Sequence, residues 1–414
     1  MNQLIIVAIT CIWLLLLVNI ILIVAGYIYY IKTERETFEG LEAYPMVSIM
    51  VPAHNEGIVI VRTVESLLAL NYPKDRYEII VINDNSTDNS EELLANLQKR
   101  YPGRNLHIIN TDAVIGGKGK SNALNIGFES CKGEYIAIYD ADNTPEKNAL
   151  LYLVSEIVQN PKLGAVVGKF RTRNKNVNLL TRFINIETLS FQWMAQAGRW
   201  QLFKLCTIPG TNFIMRRSII EAIGGWDVKA IAEDTEISFR IYKMGYLIKF
   251  LPQAVTWEQE PQTLKVWFKQ RTRWVKGNIY VLIKNIPMLL DSEAKKVRID
   301  ILYFLAIYFL LLSSLVLSDM VLIFNVIGLL TVNMASFSTI LWLMAFILFI
   351  VGTYISLTTE KGEMNLSNIG VIILMYFIYC KMWMVVAIYG FIMYIRDVIL
   401  KKEVTWYKTE RFEM

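Results

Sequence analysis

Three polar clusters, each following a short apolar run, hold the residues best able to do chemistry. They are His54-Asn55-Glu56, Asn83-Asp84-Asn85-Ser86-Thr87-Asp88 and Asp140-Ala141-Asp142-Asn143. Two acids one residue apart, such as Asp140 and Asp142, can share a hard cation of the Mg²⁺ or Mn²⁺ type, which prefers oxygen ligands. Such an ion neutralises a diphosphate and improves it as a leaving group. Taken singly, each cluster could be a turn or helix cap, and Ser86 to Asp88 fits that description. Three of them at successive strand ends argue for a site. Gly116-Gly117-Lys118-Gly119-Lys120-Ser121 stands before a helical pattern and resembles a phosphate loop. Val114 occupies the first glycine position of a Walker A motif and Asn122 the last glycine of a dinucleotide fingerprint, so both motifs fail. Lys118 and Lys120 could still hold a nucleotide's phosphates, or the segment is a flexible basic loop. Glu233-Asp234 falls at a helix start, where acids complement the helix dipole or, facing a pocket, supply a general base. Gln270-Arg271-Thr272-Arg273-Trp274 lies within a Lys-, Arg- and aromatic-rich stretch, Leu264 to Lys284, of the kind that lies on an anionic membrane surface.

The elements that must position these residues alternate between strand and helix. Strands are predicted at Val47–Pro52, Tyr77–Asn83, Leu106–Ile109, Glu134–Tyr139 and Leu163–Val167. Helices are predicted at Gly57–Leu70, Thr87–Arg100, Lys120–Glu129 and Pro145–Gln159. Continuous apolar strands alternating with helices imply a parallel sheet covered on both faces. In such α/β sheets ligands bind beyond the C-terminal strand ends, which is where the polar clusters fall.

Composition sets the surroundings. Of the 414 residues 54% are hydrophobic and 19% charged, and the mean hydropathy is +0.37. Soluble domains are less apolar and carry about 25% charge, so a membrane protein is expected and disorder is excluded. Leu4 to Ile31 carries no charge and exceeds the ~20 residues that cross a bilayer. Residues 299–395 form a second apolar block, interrupted by Asp319, the polar loop Glu360 to Asn368 and Lys381, with room for three or four crossings. Lys32 and Arg35 on one side, and Lys295, Lys296 and Arg298 on the other, place the region between on the cytoplasmic face. Basic residues after 395 suggest a cytoplasmic tail over 396–414, which favours four later crossings where hydropathy more easily gives three. The net charge of +5 is too small to argue for nucleic acid. Four cysteines without C-x-x-C spacing and two histidines leave no zinc or disulfide framework.

The ordered set Asp84, Asp140-Ala141-Asp142, Glu233-Asp234 and Gln270-x-x-Arg273-Trp274 resembles the processive family 2 glycosyltransferases, over about Val47 to Gly277. These include cellulose, hyaluronan and chitin synthases. The layout is most similar to poly-N-acetylglucosamine synthases, while Gly210-Thr211-Asn212 to Arg216-Arg217 is closer to cellulose synthases. Ala232 replaces the usual threonine before the Glu-Asp pair. The resemblance implies a GT-A, Rossmann-like domain over 41–262, interfacial helices over 263–298 and a polytopic membrane protein of the inner membrane. It implies that Asp84 binds the uracil or ribose of a UDP-sugar, Asp140 the nucleotide and Asp142 the metal, with Lys118 or Lys120 on the nucleotide. Glu56 joins that nucleotide-binding group. Asp234 becomes the base that deprotonates the acceptor hydroxyl, with Glu233 beside it. Gln270 and Arg273 hold the diphosphate, and Trp274 stacks on the acceptor sugar. Inversion to a β-linkage follows, with a growing polysaccharide as acceptor and product, the lipid bilayer as surroundings, and room for a small membrane partner subunit.

UDP-N-acetylglucosamine is the favoured donor and UDP-glucose the next. Two other readings compete. One is a polyprenyl-phosphate glycosyltransferase adding a single sugar to a lipid carrier, against which Q-x-x-R-W speaks. The other is a membrane transporter with a nucleotide-binding domain, which expects internal repeats and clustered intramembrane charges.

Overall fold

The computed structural model describes residues 2–36, 40–290, 295–311, 335–401 and 408–412, together with scattered residues between 313 and 328. Asp319 lies outside the described residues.

An apolar helix, α1 (Asn2–Arg35), precedes an α/β domain. The domain begins β1 (Val47–Ala53), α2 (Ile60–Leu68), β2 (Tyr77–Asp84), α3 (Ser90–Arg100), β3 (Leu106–Thr111), α4 (Lys120–Glu129) and β4 (Tyr135–Ile138). It continues β5 (Thr144–Pro145), α5 (Ala149–Gln159), β6 (Leu163–Thr172), α6 (Leu179–Phe191), a π-helical turn at Gln192–Gly198 and α7 (Arg199–Phe203). It closes with β7 (Phe213–Arg216), α8 (Arg217–Ile223), α9 (Glu233–Lys243), β8 (Leu247–Glu258) and α10 (Leu264–Asn285). The apolar helices that follow are α11 (Lys295–Leu305), α12 (Ala335–Thr358) and the continuous α13 (Leu366–Ile399).

The eight strands form one sheet in the order β3-β2-β1-β4-β7-β6-β8-β5. β2 is buried along its whole length, as its Ile-Ile-Val-Ile run requires. α2 buries Ile60, Val64, Leu67 and Leu68, one helical face, against the sheet. α3 carries Glu91 and Glu92 in its first turn and Lys99 and Arg100 in its last, matching the helix dipole. The first four strands are parallel, as expected. Two strands differ: β7 runs antiparallel between β4 and β6, and β5 antiparallel to β8, while β6 and β8 pair in parallel. β7 is four residues long and enters through Gly210 and Asn212, both at positive φ, so the chain reverses without a crossover helix. The order reverses between β1 and β4, the place where doubly wound sheets open a ligand crevice.

α1 is tied to this domain by close packing. A Cβ on Gly26 would lie 2.0 Å from the Trp193 carbonyl oxygen, and one on Gly198 2.2 Å from that of Leu22. Both positions need glycine because two helical backbones touch there. The Tyr29 hydroxyl, one turn further, donates to the Phe250 carbonyl at 2.6 Å. Among the described residues, Thr10–Arg35 and Leu366–Ile399 are long and apolar enough to cross a membrane.

Candidate active site

The strand ends of β1, β2 and β4 open into a cavity of ≈ 720 Å³. Its acidic end is lined by Glu56, Asp84, Asp140 and Asp142, and its far end by Tyr303, Phe349 and Trp383 of the apolar helices.

Asp84 ends β2, where its Oδ1 accepts from the Thr111 hydroxyl (2.9 Å) and the Gly117 amide (2.8 Å). A side chain at Gly116 would strike that carboxylate, so the glycines let the loop close over it. Asn55, at positive φ, caps the next loop by accepting from the Thr87 and Asp88 amides. Asp88 accepts from the Gly57 and Ser90 amides. Ser86 to Asp88 is therefore a structural cap, the simpler of the two expectations for it. Glu56 is buried at the cavity's edge, and burial pushes its carboxyl up to about 7 against the pull of Arg411.

Gly119 adopts φ +103 and Lys120 is the first residue of α4. The Lys120 ammonium reaches the Asp140 carboxylate (2.6 Å), the Gly210 carbonyl (2.8 Å) and Glu233 (3.3 Å). Burial opposes its charge, but the carboxylates of Asp140 and Glu233 outweigh burial and hold the ammonium protonated. Lys118 lies exposed and outside the cavity lining, whereas Lys120 lines it. Asp142 is buried and accepts from the Gln259 amide at 3.2 Å. The neighbouring Asn143 Oδ1 is buried with no hydrogen-bond partner. The Asp140 and Asp142 carboxylates on the cavity wall are hard donors of the type a divalent cation selects.

Asp234 stands in the first turn of α9, its Oδ1 accepting from the Thr235 amide at 2.7 Å. A Cβ on Gly210 would lie 2.9 Å from Oδ2, so the Pro209-Gly210 loop packs directly on this carboxyl. Burial first, and the adjacent Glu233 second, push Asp234 up to about 7 in spite of Lys120. Ala232 faces Gly277 of α10 at a separation that leaves no room for a Cβ on the glycine. α10 starts at Thr263, whose hydroxyl caps the Val266 amide. It brings Gln270, Arg273 and Trp274 to the cavity wall. Burial lowers the Arg273 pKa, and Glu233, Asp140 and Asp234 face it and oppose that shift. Trp274 is 40% exposed, with the Arg271 guanidinium 3.9 Å from its ring centroid.

Several residues of this site were not singled out by the sequence, and Arg271, read there as part of a membrane-surface stretch, turns inward. Arg271 is buried and pairs with Glu187 at 2.7 Å, and Glu187 also accepts from Tyr379 (2.7 Å) and Trp383 (2.6 Å) of α13. Glu258 and Glu260, at the end of β8, are buried beside Asp142, and burial followed by their mutual repulsion raises the Glu258 pKa. Arg411 of the C-terminal tail reaches in from more than a hundred residues away. It pairs with Asp142 at 2.9 Å and Glu56 at 3.4 Å, while the Gln259 side chain clasps the Phe412 backbone with two hydrogen bonds.

This geometry matches a known group. Residues 45–277 match the model described as glycosyltransferase like family 2, and the chain belongs to that family. It is 46% identical over 414 residues, 99% of this chain and 98% of the relative, to "Probable glycosyltransferase YdaM" of Bacillus subtilis (strain 168). It is 32% identical over 274 residues to a poly-beta-1,6-N-acetyl-D-glucosamine synthase of Staphylococcus epidermidis, spanning 66% of this chain and 62% of that protein. Among solved structures, a mannosyltransferase from Pyrobaculum calidifontis, in complex with GDP-Man and Mn²⁺, superposes with a TM-score of 0.59 at 19% identity, over 93% of this chain and 100% of that one. That likeness confirms the GT-A-like fold. Family membership makes the chain a glycosyltransferase, ahead of the transporter alternative.

Proposed function

We propose that the protein is a processive, inverting β-glycosyltransferase of the inner membrane that polymerises a UDP-sugar and passes the chain outward. One observation carries the reading: a single cavity joins the strand-end acids to the apolar helices, with Asp234 and Trp274 on its wall. UDP-N-acetylglucosamine is the favoured donor, supported by the likeness to poly-N-acetylglucosamine synthases, and UDP-glucose is the next.

The roles follow from chemistry. Asp84 and Glu56 border the nucleotide pocket at the β1 and β2 ends. Asp140 and Asp142 are the residues that would hold Mg²⁺ or Mn²⁺; such an ion would supply charge neutralisation to the departing diphosphate. Lys120 and Arg273 flank the same position and add fixed positive charge. Asp234, with a pKa of about 7, takes the proton of the acceptor hydroxyl as it attacks the anomeric carbon, a role that needs one base opposite the leaving group. Trp274 offers an apolar face to the acceptor ring, and Gln270 shapes the wall beneath it. Glu187, held by Arg271, Tyr379 and Trp383, lines the way onward.

The deciding experiment offers UDP-N-acetylglucosamine and UDP-glucose separately to purified membranes with Mg²⁺ or Mn²⁺. UDP release and radiolabelled product size are followed for the wild type and Asp234→Asn. Long polymer from one donor, abolished by the substitution, is the expected result. Transfer of one sugar to a lipid carrier replaces this reading with the polyprenyl-phosphate one. Absence of UDP release with every donor overturns it.

A further inference from the structure

The catalytic domain holds α13 at both of its ends, and this decides how that helix lies. At the start, the loop 359–365 is sealed onto the sheet: Glu360 pairs with Lys169 (2.6 Å) and Arg171 (2.7 Å) of β6, and Glu363 pairs with Lys175. Both carboxylates are buried, and Arg182 of α6 reaches Ser367 (2.9 Å) and Asn368 (2.8 Å) in the first turn. In the middle, Tyr379 and Trp383 donate to Glu187 of α6. In the last turn, Asp397 pairs with Lys276 of α10. Past the helix, Arg411 and Phe412 dock at Asp142 and Gln259.

A helix of 34 residues is about 51 Å long at ~1.5 Å per residue. One that crossed the bilayer would touch the domain at one end and carry the other ~30 Å or more away. α13 touches it at the first turn, the middle and the last. The nine residues from Ile399 to Lys408 reach at most ~32 Å when fully extended. Returning from the far side would stretch them to that limit, with Lys401, Lys402 and Glu403 drawn through hydrocarbon.

We infer that α13 does not cross the membrane but lies along the leaflet that faces the catalytic domain, with its outward side set in lipid. This rests on the membrane reading proposed above. The outward side is apolar apart from Lys381 near its middle: Ile373, Phe377, Ile388, Ile392 and Ile395 are all exposed. Lys361, Arg396 and Lys401 stand at the two ends, where anionic headgroups would meet them. A parity argument completes the topology without tracing the chain in between. Asp300 is tied to the domain by a buried pair with Arg199, and Glu360 by Lys169. The chain from 301 to 359 therefore leaves and returns on one side, in an even number of crossings, and the C-terminus stays with the catalytic domain.

The test uses the full-length protein in cells. Fused at the C-terminus, green fluorescent protein fluoresces and alkaline phosphatase is inactive. In proteoliposomes, single bimane labels at Ile373, Ile388 and Ile395 are quenched most by bromines at one common, shallow acyl position. The labels are attached to single cysteines introduced after Cys11, Cys131, Cys206 and Cys380 are replaced, and UDP-sugar turnover reports that each variant is folded. An active C-terminal phosphatase, or a quenching depth that passes through the bilayer centre along the helix, overturns the inference. Release of the whole chain by alkaline carbonate overturns the membrane reading itself, and so separates the two failures.

Discussion

Asp234→Asn is the sharpest test of the site's chemistry. Lifting this carboxyl from its ordinary 3.8 to about 7 corresponds to about 4 kcal/mol between its protonation states, at ~1.36 kcal/mol per unit. The cause is burial first and Glu233 second, so the fold disfavours the carboxylate. Two consequences follow with definite signs. A base must be deprotonated to act, so kcat/KM rises with pH along a limb centred near 7 and falls away below it. The folded state bears the cost of ionising the group, so that cost is absent below pH ~4 and complete above ~7. The asparagine variant then loses about 10²–10⁴ in rate, the usual contribution of a positioned base, and its residual activity loses the limb near 7. Its thermal midpoint exceeds that of the wild type at pH 8, by up to ~4 kcal/mol in stability, and converges with it near pH 4. The assays are initial rates of UDP release from pH 5.5 to 9 and thermal unfolding in detergent at both pH values. Glu56 is also pushed up to about 7, so the limb is read in a Glu56→Gln background; a limb near 7 that Asp234→Asn leaves unchanged there, or a rate loss under tenfold, refutes Asp234 as the base.

Three further substitutions probe the surroundings. Arg411→Ala removes the guanidinium that sits on Asp142 and Glu56; Mn²⁺ affinity, read by spin resonance of the free ion, rises on the order of tenfold, and an unchanged Kd shows that the tail does not compete for those carboxylates. Arg199→Ala leaves Asp300 buried without its partner and costs about 3–5 kcal/mol; the pair Arg199→Met with Asp300→Leu recovers most of it, both measured as thermal midpoints in detergent. Trp274→Ala deletes the exposed ring on the cavity wall; polymer length on gels shortens while UDP release by hydrolysis persists, and full-length product refutes acceptor stacking.

The sheet and its polar edge were legible because local pattern reports local structure. An apolar run such as Ile79 to Ile82 has no stable place except inside a sheet, and the polar residues that follow it must then lie at the strand end. That reasoning placed Asp84, Asp140 and Asp142 correctly, without saying which neighbours they would meet. Lys118 and Lys120 were equivalent in the sequence; the left-handed turn at Gly119 separates them, aiming one at Asp140 and leaving the other in solvent. Glu258 and Glu260 alternate with Trp257 and Gln259 and read as the frayed end of a strand. Only the pairing of β8 with β6 puts them beneath the cavity. Arg411 and Glu187 belong to segments that no local pattern links to the strand ends.

What those distant residues add is a crowding of carboxyl groups in which burial disfavours the ionised form. Glu56, Asp234, Glu258 and Glu260 all have raised pKa values, and burial is the leading cause in each. Neighbouring carboxylates add to it, Glu258 and Glu260 facing Asp142 and Asp234 facing Asp140. Lys120, Arg273 and Arg411 offset part of this charge, and Arg411 does so from a tail rather than from the sheet. A diphosphate entering such a site meets repulsion unless further positive charge arrives with it. The acids at the strand ends, which on their own resembled turn caps, thus support the proposed divalent cation as a companion of the donor.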